Sequence, residues 1–290
     1  MPTAFFLRQV DAEPLYELLR DDPEFSDAKE YVEQLWSTFH DLADNNFLSK
    51  APKSFHQHFW EMYLGSTLRM KGMELVRVGG EGLEYYIKKD GRRLWVEAVA
   101  PTAGTGPNSV PPYANGDQMA EVPVDAILLR LTGVFRSKLA AYHKAVRKGI
   151  VKQDEQFILA INARAIPDWP LHTELPLFIK ALLPIGPHVF HIGADATSVD
   201  LPTHLKRERI GTAAGSPVST MGLLGDDAIA LAAVLHSEVD VLNHPVRLDG
   251  NFDVLLNPRA NPPLAANCFA WARRYRLDSG RLTVALPCEA

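Results

Sequence analysis

The stretch LEYYIKKDGRRLWVEAVAP, residues 83–101, restricts the fold more than any other part of the chain. Asp90-Gly91 is a two-residue turn signal between runs rich in Tyr, Ile, Trp and Val. The segment therefore predicts a β-hairpin with strands at about 84–89 and 92–100. Side chains alternate along a strand, which puts Trp95, Glu97 and Val99 on one face and Leu94 and Ala98 on the other. Glu97 thus stands inside an otherwise apolar pattern. Burying even a neutral polar group without a partner costs about 2–7 kcal/mol. The carboxylate requires either a structural partner or a metal ion.

Helical patterns flank the hairpin. Tyr31, Leu35, Phe39 and Leu42 recur at spacings of three and four, which predicts a helix over 26–46 with Ser26 as its cap. A second helix, about 53–71, is apolar on most sides, contains Glu61 and stops at Gly72, so it belongs in the interior. A strand at about 73–78 precedes the hairpin. Residues 101–123, rich in Pro, Gly and Asn, form the longest loop. A helix follows over 125–148, broken near Gly133 and capped by Gly149.

Beyond it, FILAINA (157–163) reads as a central strand and HVFHIGA (188–194) as another. Asp226 and Asp227 open a helix over 226–238. FDVLLNP (252–258) is a strand, and a hairpin at 268–276 and 281–286 turns at Asp278-Ser279-Gly280. This order predicts one α/β domain over 1–290, with a central mixed sheet flanked by helices.

Composition narrows the class. Of the 290 residues, 47% are hydrophobic and 22% charged, as expected of a soluble globular protein. No run approaches the eighteen apolar residues of a membrane span, so no membrane association is expected. The opening MPTAFFLRQVDAEP lacks a basic region followed by an apolar core, and no secretory leader is expected. Two cysteines, Cys268 and Cys288, do not make a disulfide framework and fit a reducing cytoplasm. A net charge of −5 argues against a surface coated in phosphate-binding charge while leaving room for a local basic groove.

The hairpin brings Glu84 towards Glu97 at one end of the sheet. Two converging carboxylates repel, and a hard divalent cation relieves them; Mg²⁺ (or Mn²⁺) suits oxygen donors of this kind. A buried helix carrying Glu61 in FWEMYLG, then Glu84 in GLEYY, then Glu97 in WVEAVAP resembles the PD-(D/E)XK, restriction-endonuclease-like nuclease superfamily, as a divergent member. The resemblance covers about residues 53–163 as the nuclease-like core, with 164–290 as a C-terminal elaboration. It implies a restriction-endonuclease-like sheet, Mg²⁺ held by Glu84 and Glu97, support from Glu61, and phosphodiester hydrolysis in nucleic acid, with DNA as the first choice.

The pattern departs from the family in three places. Glu84 stands where Asp is usual and Leu83 where Pro is common. The lysine expected two residues after the second acid is replaced by Val99. Some members supply that lysine from a neighbouring helix, and Lys138 in RSKLAAYHK is the candidate here, with Arg130 and Arg136 as alternative cations. The two alternatives are a catalytically inactive binding or regulatory relative, and an unrelated cytoplasmic α/β protein with structural acids. In the last, Glu97 pairs with Arg92, Arg93 or a helix arginine.

Other candidate sites are weaker. His56 and His58 face apart on a helix, and His188 and His191 face apart on a strand. GTAAGSPVSTMG (211–222) fits no phosphate-loop or nucleophile pattern and reads as a loop. Arg273, Arg274, Arg276 and Arg281 around Trp271 and Tyr275 suit nucleic-acid stacking but better suit a solvated hairpin face.

Overall fold

Gly91 adopts φ +74°, the left-handed conformation that the hairpin turn requires and that glycine enters without strain. The computed structural model describes residues 3–8, 11–78, 83, 85–89, 91–113, 122–167, 175–189, 203–265 and 267–288.

The N-terminal layer is helical: α1 (Pro14–Asp21), α2 (Ser26–Phe39), α3 (Phe47–Lys50) and α4 (Phe55–Met70). Three strands follow, β1 (Leu75–Arg77), β2 (Tyr85–Lys89) and β3 (Arg92–Val99), then helix α5 (Val124–Arg147) and strand β4 (Gln156–Asn162). Helix α6 (Leu177–Leu182) leads into short strands β5 (Ile185–Val189), β6 (Thr203–Lys206), β7 (Arg209–Ile210) and β8 (Val218–Ser219). The chain returns with β9 (Leu231–Ser237), β10 (Asp253–Leu256), β11 (Arg273–Asp278) and β12 (Arg281–Ala285).

The central sheet is mixed and eight-stranded, in the order β1-β2-β3-β4-β9-β10-β11-β12. The hairpin β2–β3 is antiparallel, with Tyr85 opposite Val96 and Lys89 opposite Arg92. β3, β4 and β9 are parallel neighbours, and β10 runs back antiparallel to β9. The chain from β3 to β4 passes through α5, as parallel strands need a long crossover. Half of the strands in this sheet come from residues 231–285, beyond the 53–163 segment.

Alternation along β3 sorts two cores. Leu94, Val96 and Ala98 join one buried cluster with α2 and α4; Trp95 joins another with α5 and α6. The first layer is thick because α4 lies between α2 and the sheet, and 12 of its 16 residues are buried. Gly65 permits this, since a Cβ there would stand 2.5 Å from Cδ2 of Phe39. Trp60 fastens α4 to the sheet by donating its indole N–H to the Ala160 carbonyl at 3.1 Å.

Several expectations are corrected. Residues 231–237 form central strand β9, and only Asp226–Ala228 makes a helical turn, of 3-10 type, where a helix was expected over 226–238. All seven β9 residues are buried between the two helical layers, so a continuous apolar run is what the site demands. Ser26 is the first residue of α2 and not its cap, because the 3-10 turn Pro23–Phe25 feeds straight into the helix; the helix ends at Phe39.

α5 continues through Gly133, which lies on its exposed side with nothing near its missing Cβ, so only propensity is lost. Gly149 ends α5 at φ +73°, and Ile150 N–H reaches back to the Ala145 carbonyl at 3.1 Å. The strand expected at 188–194 is β5 up to Val189, in a separate two-stranded sheet with β6; residues 190–194 lie outside the described residues.

Candidate active site

Glu97 lies on the α5 face of β3, one residue from Val96 and Ala98, which point into the opposite core. Helix α5 packs its stripe Leu128, Leu131, Phe135, Leu139 and Tyr142 on the sheet. Lys138 sits at the margin of that stripe and turns inward. Its Nζ meets Oε1 of Glu97 at 2.5 Å, with the two side chains 28% and 11% exposed. Lys138 of α5 is therefore the cation paired with Glu97. Neither strand arginine takes that place: Arg93 lies over the Tyr86 ring and within 3.7 Å of Glu155.

A second carboxylate reaches the same charge cluster from the other side of the sheet. Gln57 and Glu61 are one turn apart on α4, and Gln57 Nε2 donates to Glu61 Oε1 at 2.7 Å. The same amide spans the end of β3, accepting from Ala100 N–H at 2.7 Å and donating to the Ala98 carbonyl at 3.3 Å. Gln57 thus ties Glu61 to the strand segment just past Glu97. Sequence reasoning missed it; the available signal was a polar side chain at i−4 from Glu61 within an interior helix.

The electrostatics follow from this placement. Burial pushes the Glu61 carboxyl up to about 7. The Gln57 hydrogen bond opposes the rise, the charges of Glu97 and Asp44 reinforce it, and Lys138 opposes it. A proton, a cation or a hydrogen-bond donor must accompany Glu61 near neutral pH.

The remaining sequence candidates separate. Glu84 lies outside the described residues, so its expected approach to Glu97 is not part of this geometry. Val99 is partly buried against the α5-side core and contributes no charge. Arg130 donates Nε to the Thr102 carbonyl at 2.9 Å, and Arg136 is exposed. His56 approaches Asn162 Oδ1 at 3.1 Å, whereas His58 approaches the Ser54 carbonyl at 2.8 Å, so the two do not converge. Burial lowers the pKa of both rings. In the C-terminal hairpin, Arg273 and Arg276 pair with Asp253 and Asp278.

Asn162 organises the end of β4. Its amide donates to the Val239 carbonyl at 2.8 Å, and its carbonyl accepts Arg164 N–H at 2.9 Å. A further polar row, invisible in the sequence, crosses three strands of the sheet: His236 pairs with Asp253, and Asp253 with Arg273, while the same register continues through the apolar Ile161 and Val99. His236 is buried and stacked on Phe178 at 4.4 Å, and burial lowers its pKa to about 4 despite Asp253.

Among the described residues, no group of three or more His, Cys, Asp or Glu side chains gathers as a metal cluster, and no helix is long and apolar enough to cross a membrane. Compared with family models, with curated proteins and with solved structures, the chain gives no significant match to any.

Proposed function

We propose that this protein is a Mg²⁺- or Mn²⁺-dependent phosphodiesterase acting on nucleic acid, with a divergent restriction-endonuclease-like core. The observation that carries this reading is the Glu97–Lys138 contact between β3 and α5, joined by Glu61 and Gln57 at the end of the same strand. A cation placed on the crossover helix compensates for Val99. The reading rests on the direct contact between Lys138 and Glu97, and on a second acid, Glu61, whose titration the charges of both influence.

The donor chemistry fits a hard divalent cation. The acids offer only oxygen, and Glu61 is held near its neutral form by burial and by the charge of Glu97. A nearby divalent charge would make its ionised form favourable. Glu97 and Glu84 would hold the ion, with Glu61 supporting the site or binding a metal-bound water. When bound, the metal supplies positive charge to the phosphodiester oxygens.

This chain's own residues do the rest. Lys138 stabilises negative charge developing on the scissile phosphate and orients a water through its free ammonium hydrogens. Gln57 fixes the carboxylate plane of Glu61 and the backbone at Ala98 and Ala100. Leu83, Ala141, Ala145 and Ile150 line the recess at Glu97 with apolar surface, which strengthens each charge interaction.

The test is a cleavage assay on single- and double-stranded DNA and RNA, with Mg²⁺, Mn²⁺ or EDTA. The wild type should cleave with metal and not in EDTA, and Glu97→Gln and Lys138→Met should each lose at least about a hundredfold in rate. Wild-type protein that cleaves none of these substrates, or variants that cleave as it does, would overturn the reading. A nucleic-acid-binding relative without catalysis is favoured by Val99 alone, and is diagnosed by binding without metal-dependent cleavage.

A further inference from the structure

Across the central sheet from Glu97, three and four strands away, β10 and β11 begin at Asp253 and Arg273. At a strand spacing of about 4.8 Å this is about 14–19 Å from β3. The beginnings of these two strands line an open cleft of about 460 Å³, together with Arg247, Asp249, Phe252 and Trp271. Small-molecule sites run from about 300 to 1,000 Å³.

Two guanidinium groups line this cleft, and each is clamped by an aspartate. Arg273 donates Nε and Nη2 to Asp253 at 2.5 and 3.0 Å. Arg247 donates Nε and Nη2 to Asp249 at 3.2 and 3.0 Å. The carboxylates are buried, at 11% and 7% exposure, while the arginine side chains remain 46% and 67% exposed. An arginine held along one edge is oriented and keeps its Nη1 donors, and neither Nη1 has a hydrogen bond among the described residues. Lys71 also binds Asp249, so three cations stand against two carboxylates. Burial alone would raise the Asp249 carboxyl, yet the hydrogen bonds from Lys71 and Arg247 hold it below the usual range.

The other walls are apolar. Trp271 packs edge-on against Phe252 at 5.2 Å, and exposed Leu286 lines the same cleft. The indole Nε1 of Trp271 is buried and has no acceptor among the described residues. Oriented guanidinium donors with a surplus positive charge select a multiply charged oxyanion. The indole and leucine surfaces select a flat apolar group attached to it.

We propose that this cleft binds the phosphate-bearing end of a nucleotide, with the phosphate on Arg247 and Arg273 and the base against Trp271 and Leu286. The source is either a free nucleoside 5′-phosphate or the 5′-phosphorylated end of a strand. The proposal stands whether or not the Glu97–Lys138 site cleaves nucleic acid.

The experiment is calorimetric titration of the 290-residue chain in EDTA with AMP, GMP, adenosine, a 5′-phosphorylated oligonucleotide and its 5′-hydroxyl counterpart. The phosphorylated ligands should bind with Kd below about 1 mM, and at least about tenfold more tightly than their unphosphorylated partners. Binding of the mononucleotides identifies the free nucleotide, and binding of the phosphorylated oligonucleotide alone identifies the strand end. Arg247→Ala should weaken binding at least about tenfold, and it leaves Asp249 paired with Lys71, so the fold keeps its buried ion pair.

A readout on the wild type guards against a misfolded variant. Exposed Cys288 lines the cleft, and saturating phosphorylated ligand should slow its alkylation while leaving Cys268 unaffected. Absence of phosphate-dependent binding, equal binding by Arg247→Ala, or an unprotected Cys288 would each overturn the proposal.

Discussion

Glu61→Gln isolates the electrostatic cost of the acid cluster. The carboxyl is 8% exposed on interior helix α4, and its pKa is raised from 4.5 to about 7, first by burial and then by Glu97. A raised carboxyl pKa makes the folded state bind a proton that the unfolded state releases. The resulting stabilisation is complete below about pH 4.5 and is lost as pH rises through about 7. Each tenfold difference in proton affinity between the folded and unfolded states is worth about 1.4 kcal/mol, so the loss amounts to about 3 kcal/mol by pH 8.

The glutamine variant has no proton to lose, and its side-chain oxygen can still accept from Gln57. Its stability relative to wild type should therefore rise by about 3 kcal/mol between about pH 4.5 and about pH 8. Urea denaturation at both pH values, in EDTA, measures the difference directly. If the difference between the two proteins is the same at both pH values, Glu61 does not titrate as the burial and the neighbouring charge require, and the reasoning fails. Adding Mg²⁺ at the higher pH should stabilise the wild type and leave the variant unchanged.

Lys138→Met strands the Glu97 carboxylate, which is 11% exposed, and should cost about 3 kcal/mol in thermal or urea unfolding, while Lys138→Met/Glu97→Gln together should recover most of it. Gly65→Ala places a methyl 2.5 Å from Cδ2 of Phe39 and should destabilise by about 1–3 kcal/mol, read from the denaturant midpoint. His236, lowered from 6.5 to about 4 by burial, contributes stability that is full above its unfolded value and lost as pH falls towards about 4. His236→Gln should therefore lose less stability than wild type between about pH 7 and about pH 4.5, read from urea midpoints at the two pH values.

The β2–β3 hairpin and its buried acid were legible because Asp90-Gly91 and strict alternation act locally. Interior helix α4 was legible because its apolar residues cover most of its circumference. Lys138 could be singled out from its position beside the Phe135–Tyr142 stripe, although only the packing of α5 on β3 fixes its direction. Strand β9 misled because LAAVLHS follows two aspartates and is rich in good helix formers, so local preference pointed away from the sheet. Burial on both faces overrode it, and a continuous apolar run does not by itself distinguish strand from helix. Gln57 and the His236–Asp253–Arg273 row depend on register between distant segments, which no local pattern records.

The connectivity of the sheet also bears on how the chain is made. The cluster of Gln57, Glu61, Glu97 and Lys138 is complete in sequence once β4 has emerged, because α4, β3, α5 and β4 all precede residue 163. At that point β4 is paired with β3 on one side only, and its other edge, all but Gln156 buried in the finished protein, awaits β9. An apolar, unpaired strand edge is a template for aggregation. At a synthesis rate of about 5–20 residues per second, the chain from Asn162 to Leu231 takes about 3–14 s to appear. During that interval the growing chain holds every residue of the acid cluster but not β9, the strand that closes the open edge of β4.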